Sequence, residues 1–228
     1  LHTFINLRSL SFGFSYEMND EKLLHILAQC PWVENVDLSS SQNLTERGIV
    51  AALSMVKSLH SLSVDGLFYL TDLALYDIVR NHKHTLQCLC VQFCCDLTTE
   101  GINHVLTECT KLHTLSYNTE DVDYTLMSKL TTLNTKFPES EDAWRSIQQN
   151  CHNLEYLHVS FVHDPFTENM MHITAAVNSM PSLRAWYLIS NVHKISKDLL
   201  HTLRAQHPNV NVEIGEELMW YDLFKLPV

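Results

Sequence analysis

An α/β solenoid, stacked from copies of one strand–turn–helix unit, is the fold class this sequence predicts, on three observations. An apolar pattern of the form L-x-x-L-x-L starts at Leu7, Val33, Leu59, Leu86 and Leu112, so its copies are 26, 26, 27 and 26 residues apart. A helix-start signal follows each of the middle copies at a matching offset. Cysteines fall at recurring places between copies, as Cys30, Cys109 and Cys151 do just before the next apolar pattern. Self-similarity at a fixed period of this length is the mark of a repeat architecture.

The first strand motif is Leu7, Leu10 and Phe12, followed by Val33, Val36 and Leu38, and then Leu59, Leu62 and Val64. Leu86, Leu89, Val91 and Leu112, Leu115, Tyr117 continue the series. Later copies are Leu154, Leu157, Val159 and Leu183, Trp186, Leu188, with Val212 and Ile214 closing it. The helix signals are Leu44-Thr45-Glu46, Leu70-Thr71-Asp72 and Leu97-Thr98-Thr99, echoed by Phe166-Thr167-Glu168 and Ile195-Ser196-Lys197. A Ser or Thr there can accept a hydrogen bond from an unpaired amide of the first helical turn. Apolar residues at helical spacing follow: Ile49, Leu53, Val56; Leu75, Ile78, Val79; Ile102, Val105, Leu106. One such unit cannot bury its own strand face and helix stripe, but stacked units bury both. The pattern loosens over 117–151. Leu130 and Leu133 come only 18 residues after Leu112, too soon for a full helix, and an acidic loop from Asn118 to Asp123 takes its place. The repeats are read as residues 1–214, about eight to nine units, with 215–228 as a terminal cap or tail.

The units resemble the cysteine-containing leucine-rich repeats of the F-box family. The resemblance is carried by Val33 to Cys109, and most clearly by Leu44-Thr45-Glu46-Arg47-Gly48-Ile49 and Leu97-Thr98-Thr99-Glu100-Gly101-Ile102. It implies a leucine-rich-repeat solenoid, an open α/β horseshoe with parallel strands on the concave face and helices on the convex face. It also implies the substrate-recognition repeats of an SCF-type E3 ubiquitin ligase, which would meet the SCF adaptor and cullin only through an F-box that this chain does not contain. A non-ligase interaction scaffold and an enzyme-regulating repeat protein are the alternatives. A terminal tail turned back into the concave face, as in some F-box relatives, is the alternative to a cap.

Composition narrows the function classes. With 26 Asp and Glu against 15 Lys and Arg, the net charge is -11, which opposes binding to phosphate backbones. No apolar run reaches the ~20 residues of a membrane span. Seven cysteines, an odd number, suit a reduced cytoplasmic or nuclear protein better than a disulfide scaffold. The cluster Cys88, Cys90, Cys94 and Cys95 invites a metal reading. Strand alternation instead places Cys88 and Cys90 on one face and Cys94 in the ninth-position turn, so no metal or other cofactor is expected. With no Ser-His-Asp order and only five glycines, the chain reads as a non-enzyme whose partner is a protein.

A strand period of two assigns the surface. Positions three, five, seven and eight of each unit face the concave side or its rim. The early units present small polar residues there, such as Ser11, Asp37 and Ser63. The later ones present Phe93, Phe137, Tyr156, His158, Phe161 and Tyr187, the candidate binding residues, because aromatic anchors dominate many interfaces. His158 and His163 suggest sensitivity to mildly acidic pH. Asp121 and Asp123 in the irregular loop, and Trp220 and Tyr221 in the last segment, are candidate rim or tail contacts. Acidic groups outnumber bases on this surface, which favours neutral or basic peptide segments.

Overall fold

The structure is a computed structural model, in which residues 4, 6–136, 138, 140–161, 169–190 and 197–215 are described. Phe137, His163, Thr167, Ser196, Trp220 and Tyr221, and the cap or tail after Gly215, lie outside them. The chain forms two compact units, Leu1–Leu112 and His113–Val228.

The first unit alternates β1 (Ser9–Ser11), α1 (Asp20–Gln29), β2 (Asn35–Asp37), α2 (Glu46–Leu53), β3 (Ser61–Ser63), α3 (Asp72–His82), β4 (Cys88–Cys90) and α4 (Thr99–Glu108). Its strands are parallel and follow chain order, with Leu10, Val36, Leu62 and Leu89 in one register row. That row is the fourth position of the repeat, and its Val36, Leu62 and Leu89 are buried beneath Leu23, Leu27, Ile49, Leu53, Leu75, Ile78 and Val79 of the helices.

The second unit runs β5 (Thr114–Ser116), a 3-10 turn (Tyr124–Met127), β6 (Thr132–Lys136), α5 (Glu141–Asn150), β7 (Tyr156–Phe161), α6 (Asn169–Asn178), β8 (Ala185–Ser190), α7 (Lys197–Gln206) and β9 (Asn211–Gly215). These strands are also parallel, with Leu115, Leu133, Leu157, Trp186 and Val212 in the core row. Between β5 and β6 the short 3-10 turn replaces a helix, because the spacing leaves no room for one. Asp123 starts the turn by accepting from the Thr125 amide at 3.0 Å. The strand–helix alternation of a leucine-rich-repeat solenoid is thus present in both units.

Contacts that repeat from one copy to the next hold the first unit in register. The Asp20 carboxylate accepts from the amide and hydroxyl of Thr45, at 2.8 and 2.6 Å. Asp72 receives Thr98 in the same way, at 2.9 and 2.6 Å. Each acid sits in the first turn of one helix and holds the residue that starts the next. Thr45 and Thr98 in turn cap their own helices, through the amides of Gly48 and Glu100. Thr71 departs from the capping expectation: its hydroxyl makes no cap bond and has no partner. Here the preceding acid is Glu46, which takes only the Thr71 amide, at 2.7 Å.

This arrangement explains the glycine of the L-T-x-x-G-I segment. A Cβ on Gly48 would lie 2.0 Å from the Asp20 carboxyl carbon, and one on Gly101 would lie 2.2 Å from an Asp72 oxygen. The ninth repeat position closes a second ladder. Ser41 Oγ donates to the Phe12 carbonyl at 2.6 Å, and Cys94 Sγ to that of Val64 at 3.2 Å. Cys30, Cys109 and Cys151 end helices as buried caps.

Candidate protein-binding surface

In the first unit, the sheet face turned away from the helices is a closed polar ladder. Asn35 Nδ2 donates to Ser9 Oγ at 3.0 Å, and Ser11 Oγ to Asp37 Oδ2 at 2.5 Å. The other Asp37 oxygen accepts from the Ser39 amide and hydroxyl, at 2.9 and 2.6 Å. Ser39 Oγ meets Ser63 Oγ at 2.7 Å. Asp65 accepts from the Gln92 amide at 2.7 Å. Burial, reinforced by the nearby Asp37 charge, pushes the Asp65 carboxyl up to about 7 against the opposing hydrogen bonds. Cys88 and Cys90 are buried on this face, and the Cys90 thiol is raised well above its usual range by the hydrogen bond it donates to Cys88 and by burial. The expectation that Asp37 and Ser63 present an open surface is therefore corrected. They are buried, and their hydrogen-bonding capacity is spent along the ladder.

Four of the exposed aromatic residues in this unit lie beyond the strand ends. Phe14 and Phe93 occupy the eighth repeat position, and Tyr16 and Phe68 the tenth; all four are exposed. The eighth position is left-handed throughout the unit, with φ of 59° at Phe14, 55° at Ser40, 73° at Gly66 and 56° at Phe93. A bulky side chain is rarely placed there, so Phe14 and Phe93 sit in a conformation that their own side chains disfavour. Reading the repeats from positions three, five, seven and eight missed Tyr16 and Phe68, which stand at position ten. The signal that finds them is an aromatic residue two places beyond the left-handed position.

In the second unit, Tyr156 and Tyr187 lie on the sheet face away from the helices, both half-buried. Tyr187 stacks on His158 with ring centroids 4.4 Å apart and planes within 3°. His158 is not a surface group. It is only 1% exposed, and neither ring nitrogen has a hydrogen-bond partner. Desolvation drops it to about 3, so the His158 imidazole stays neutral under mildly acidic conditions; the expected pH sensitivity is corrected for His158, while His163 lies outside the described residues. Asn134, its register partner on β6, is also buried with an unpaired side-chain oxygen. Phe161 ends β7 opposite Ser190.

The irregular loop forms a cleft of about 390 Å³, lined by Glu120, Asp121, Tyr124, Lys136, Pro138 and Ser140 among others. Asp121 is exposed, with a left-handed φ of 56°. Lys136, at the end of β6, is held at 2.5 Å by Glu120. Asp123 is occupied in starting the 3-10 turn.

The seven cysteines are free thiols, of which Cys95 is exposed. Among the described residues, no cluster of three or more His, Cys, Asp or Glu is placed to hold a metal, and no helix is long and apolar enough to cross a membrane.

No protein-family model matches the chain, and no curated protein matches it. Among solved structures, it is similar to a chain of the yeast Rad7–Elc1 complex, with a TM-score of 0.58 and 16% identity, over 95% of this chain and 75% of that one. The C-terminal domain of tropomodulin from Caenorhabditis elegans aligns at a TM-score of 0.38 and 14% identity, over 70% of this chain and 92% of that one. Together with the parallel strands, the recurring helices and the contacts repeated between copies, the first likeness identifies the chain as a leucine-rich-repeat solenoid.

Proposed function

We propose that this chain is a protein-binding module rather than an enzyme, and that it serves as the substrate-recognition repeats of an SCF-type ubiquitin ligase. The observation that carries the binding role is the set of exposed rings at Phe14, Tyr16, Phe68 and Phe93, at recurring repeat positions on one unit. Water penalises exposed apolar area, and a concentrated set of aromatic side chains marks an interaction surface. Tyr156 and Tyr187 supply a second anchor pair on the other unit. The ligase role rests on the F-box-type repeat resemblance and on a structural neighbour that was itself solved as a complex with a protein, Elc1. The adaptor and cullin would be engaged through an F-box outside this chain. The net charge of -11 favours neutral or basic segments as substrates and disfavours nucleic acid. A reduced, cytoplasmic or nuclear setting fits the free thiols.

The test is affinity capture from cells of the protein in its full natural length, followed by identification of bound chains. Recovery of an SCF adaptor and cullin supports the ligase role, and their absence from an otherwise productive capture refutes it. Tyr16→Ala with Phe68→Ala, and Tyr156→Ala with Tyr187→Ala, separate the two surfaces. At least one pair is expected to lower recovery of the substrate tenfold or more without loss of helicity by circular dichroism. Undiminished recovery by both refutes the surfaces named here.

A further inference from the structure

The turns that follow β1 to β4 continue the ladder of the strands. The amides of Phe14, Ser40 and Gly66, at the eighth position, donate to the carbonyls of Ser39, Asp65 and Gln92 in the next copy, at 2.7, 2.8 and 2.7 Å. Neighbouring turns are therefore held at strand spacing, and the backbones of Phe14 and Phe93 stand three spacings apart, about 14 Å. Between these two exposed rings the eighth position carries only Ser40 and Gly66, so the rings flank a gap with a small floor.

Charge on this surface has one sign. Residues 9–17, 35–43, 61–69 and 88–96 make up the four strands and their turns. They contain Glu17, Asp37, Asp65 and Asp96, and no Lys, Arg or His. Lys22 approaches from α1, where its Nζ donates to the Glu17 carbonyl at 2.8 Å. Asp37 has both carboxylate oxygens engaged in the ladder. Asp65 precedes Gly66 at the edge of the gap, half-buried, with Oδ1 accepting from the Gln92 amide. An anion seated there would meet the Asp65 and Asp37 charges, and an apolar side chain would desolvate Asp65 further without pairing it. A guanidinium or ammonium group gains from the ring faces and from the carboxylate together.

We propose that this rim binds a basic peptide segment of a partner protein. One arginine or lysine of the segment sits between Phe14 and Phe93, over Ser40 and Gly66, and pairs with Asp65, while its apolar neighbours lie against Tyr16 and Phe68. The assignment rests on the reading of these rings as a binding surface, names the chemistry that they take, and is independent of the ligase role. It also carries a pH dependence. The Asp65 carboxyl is pushed up to about 7, chiefly by burial, whereas a cation beside it favours the ionised form. Affinity should therefore rise with pH through 7 and level off above it, by about tenfold from pH 6 to pH 8. The other ionisable groups facing Asp65 are Asp37 on β2 and the thiols of Cys90 and Cys94. Both thiols stay protonated over this range, Cys90 raised by its hydrogen bond to Cys88 and by burial, Cys94 by burial.

The test uses random nonapeptides displayed on phage, selected at pH 8 against the protein in its full natural length. Enriched peptides should share an arginine or lysine among apolar residues. The strongest is then synthesised with that base and with its neutral counterpart, citrulline for arginine or norleucine for lysine. The neutral form should bind at least tenfold more weakly. Asp65→Asn should weaken the charged form at least fivefold and flatten its rise between pH 6 and pH 8. Phe14→Ala with Phe93→Ala should abolish binding of both forms. Where Asp65→Asn fails to fold by circular dichroism, the charged and neutral peptides on the natural chain still decide. Peptides that need Phe14 and Phe93 but carry no base, bind equally when neutralised, or ignore a folded Asp65→Asn overturn the cation site and leave the binding surface standing. No enrichment, or peptides indifferent to the ring substitutions, overturns both.

Discussion

The acid that braces each helix start, and the glycine beside it, make a prediction whose sign depends on the background. Asp20→Ala removes two charge-assisted hydrogen bonds to Thr45, at 2.8 and 2.6 Å. At this partly exposed site the loss should resemble that of a helix cap, about 1–2 kcal/mol. Gly48→Ala in the natural chain places a Cβ 2.0 Å from the same carboxyl group and drives it off. It should forfeit those bonds while regaining at most about 1 kcal/mol of helix propensity, a net loss of roughly 0.5–1 kcal/mol. Once Asp20 is already alanine, the methyl group displaces nothing, and Gly48→Ala should stabilise by about 0.5–1 kcal/mol. The coupling between the two sites is then about 1–2 kcal/mol. Urea unfolding followed by far-ultraviolet circular dichroism, on the four proteins of the cycle, measures it. Equal shifts from Gly48→Ala in both backgrounds would refute the reasoning and leave the glycine unexplained.

Two further outcomes follow from the described geometry. At φ 56°, Phe93→Gly should be more stable than Phe93→Ala by about 1 kcal/mol, because the left-handed region penalises a Cβ; the usual order, with Ala the more stable, would show that the position is not left-handed in solution. The depressed His158 takes up its proton more readily unfolded than folded, so its contribution is complete above the unfolded value near 6.5 and is lost as pH falls toward 3. Across pH 6 to 4, the natural chain should lose stability faster than His158→Gln by up to about 1.4 kcal/mol per pH unit; parallel pH profiles would show that the imidazole is solvated.

Much of the architecture was legible without coordinates. A 26-residue period in Leu7, Val33 and Leu59 determines which residues form strands and which face of each is apolar, because a strand repeats every two residues and one unit cannot bury its own face. The same period located the cysteine caps, and the 18-residue gap before Leu130 announced the missing helix. What period alone could not decide was the state of the opposite face. Alternation says that Asp37, Cys90 and His158 point away from the helices, not whether anything lies on them. Only tertiary structure showed Asp37 consumed by Ser11 and Ser39, and His158 desolvated against Tyr187. The roles of Gly48 and Gly101 were hidden for the same reason, since each is required by an acid 28 or 29 residues earlier in the chain. Local pattern sets the direction in which a side chain points, and the chain's return one repeat later sets what it meets.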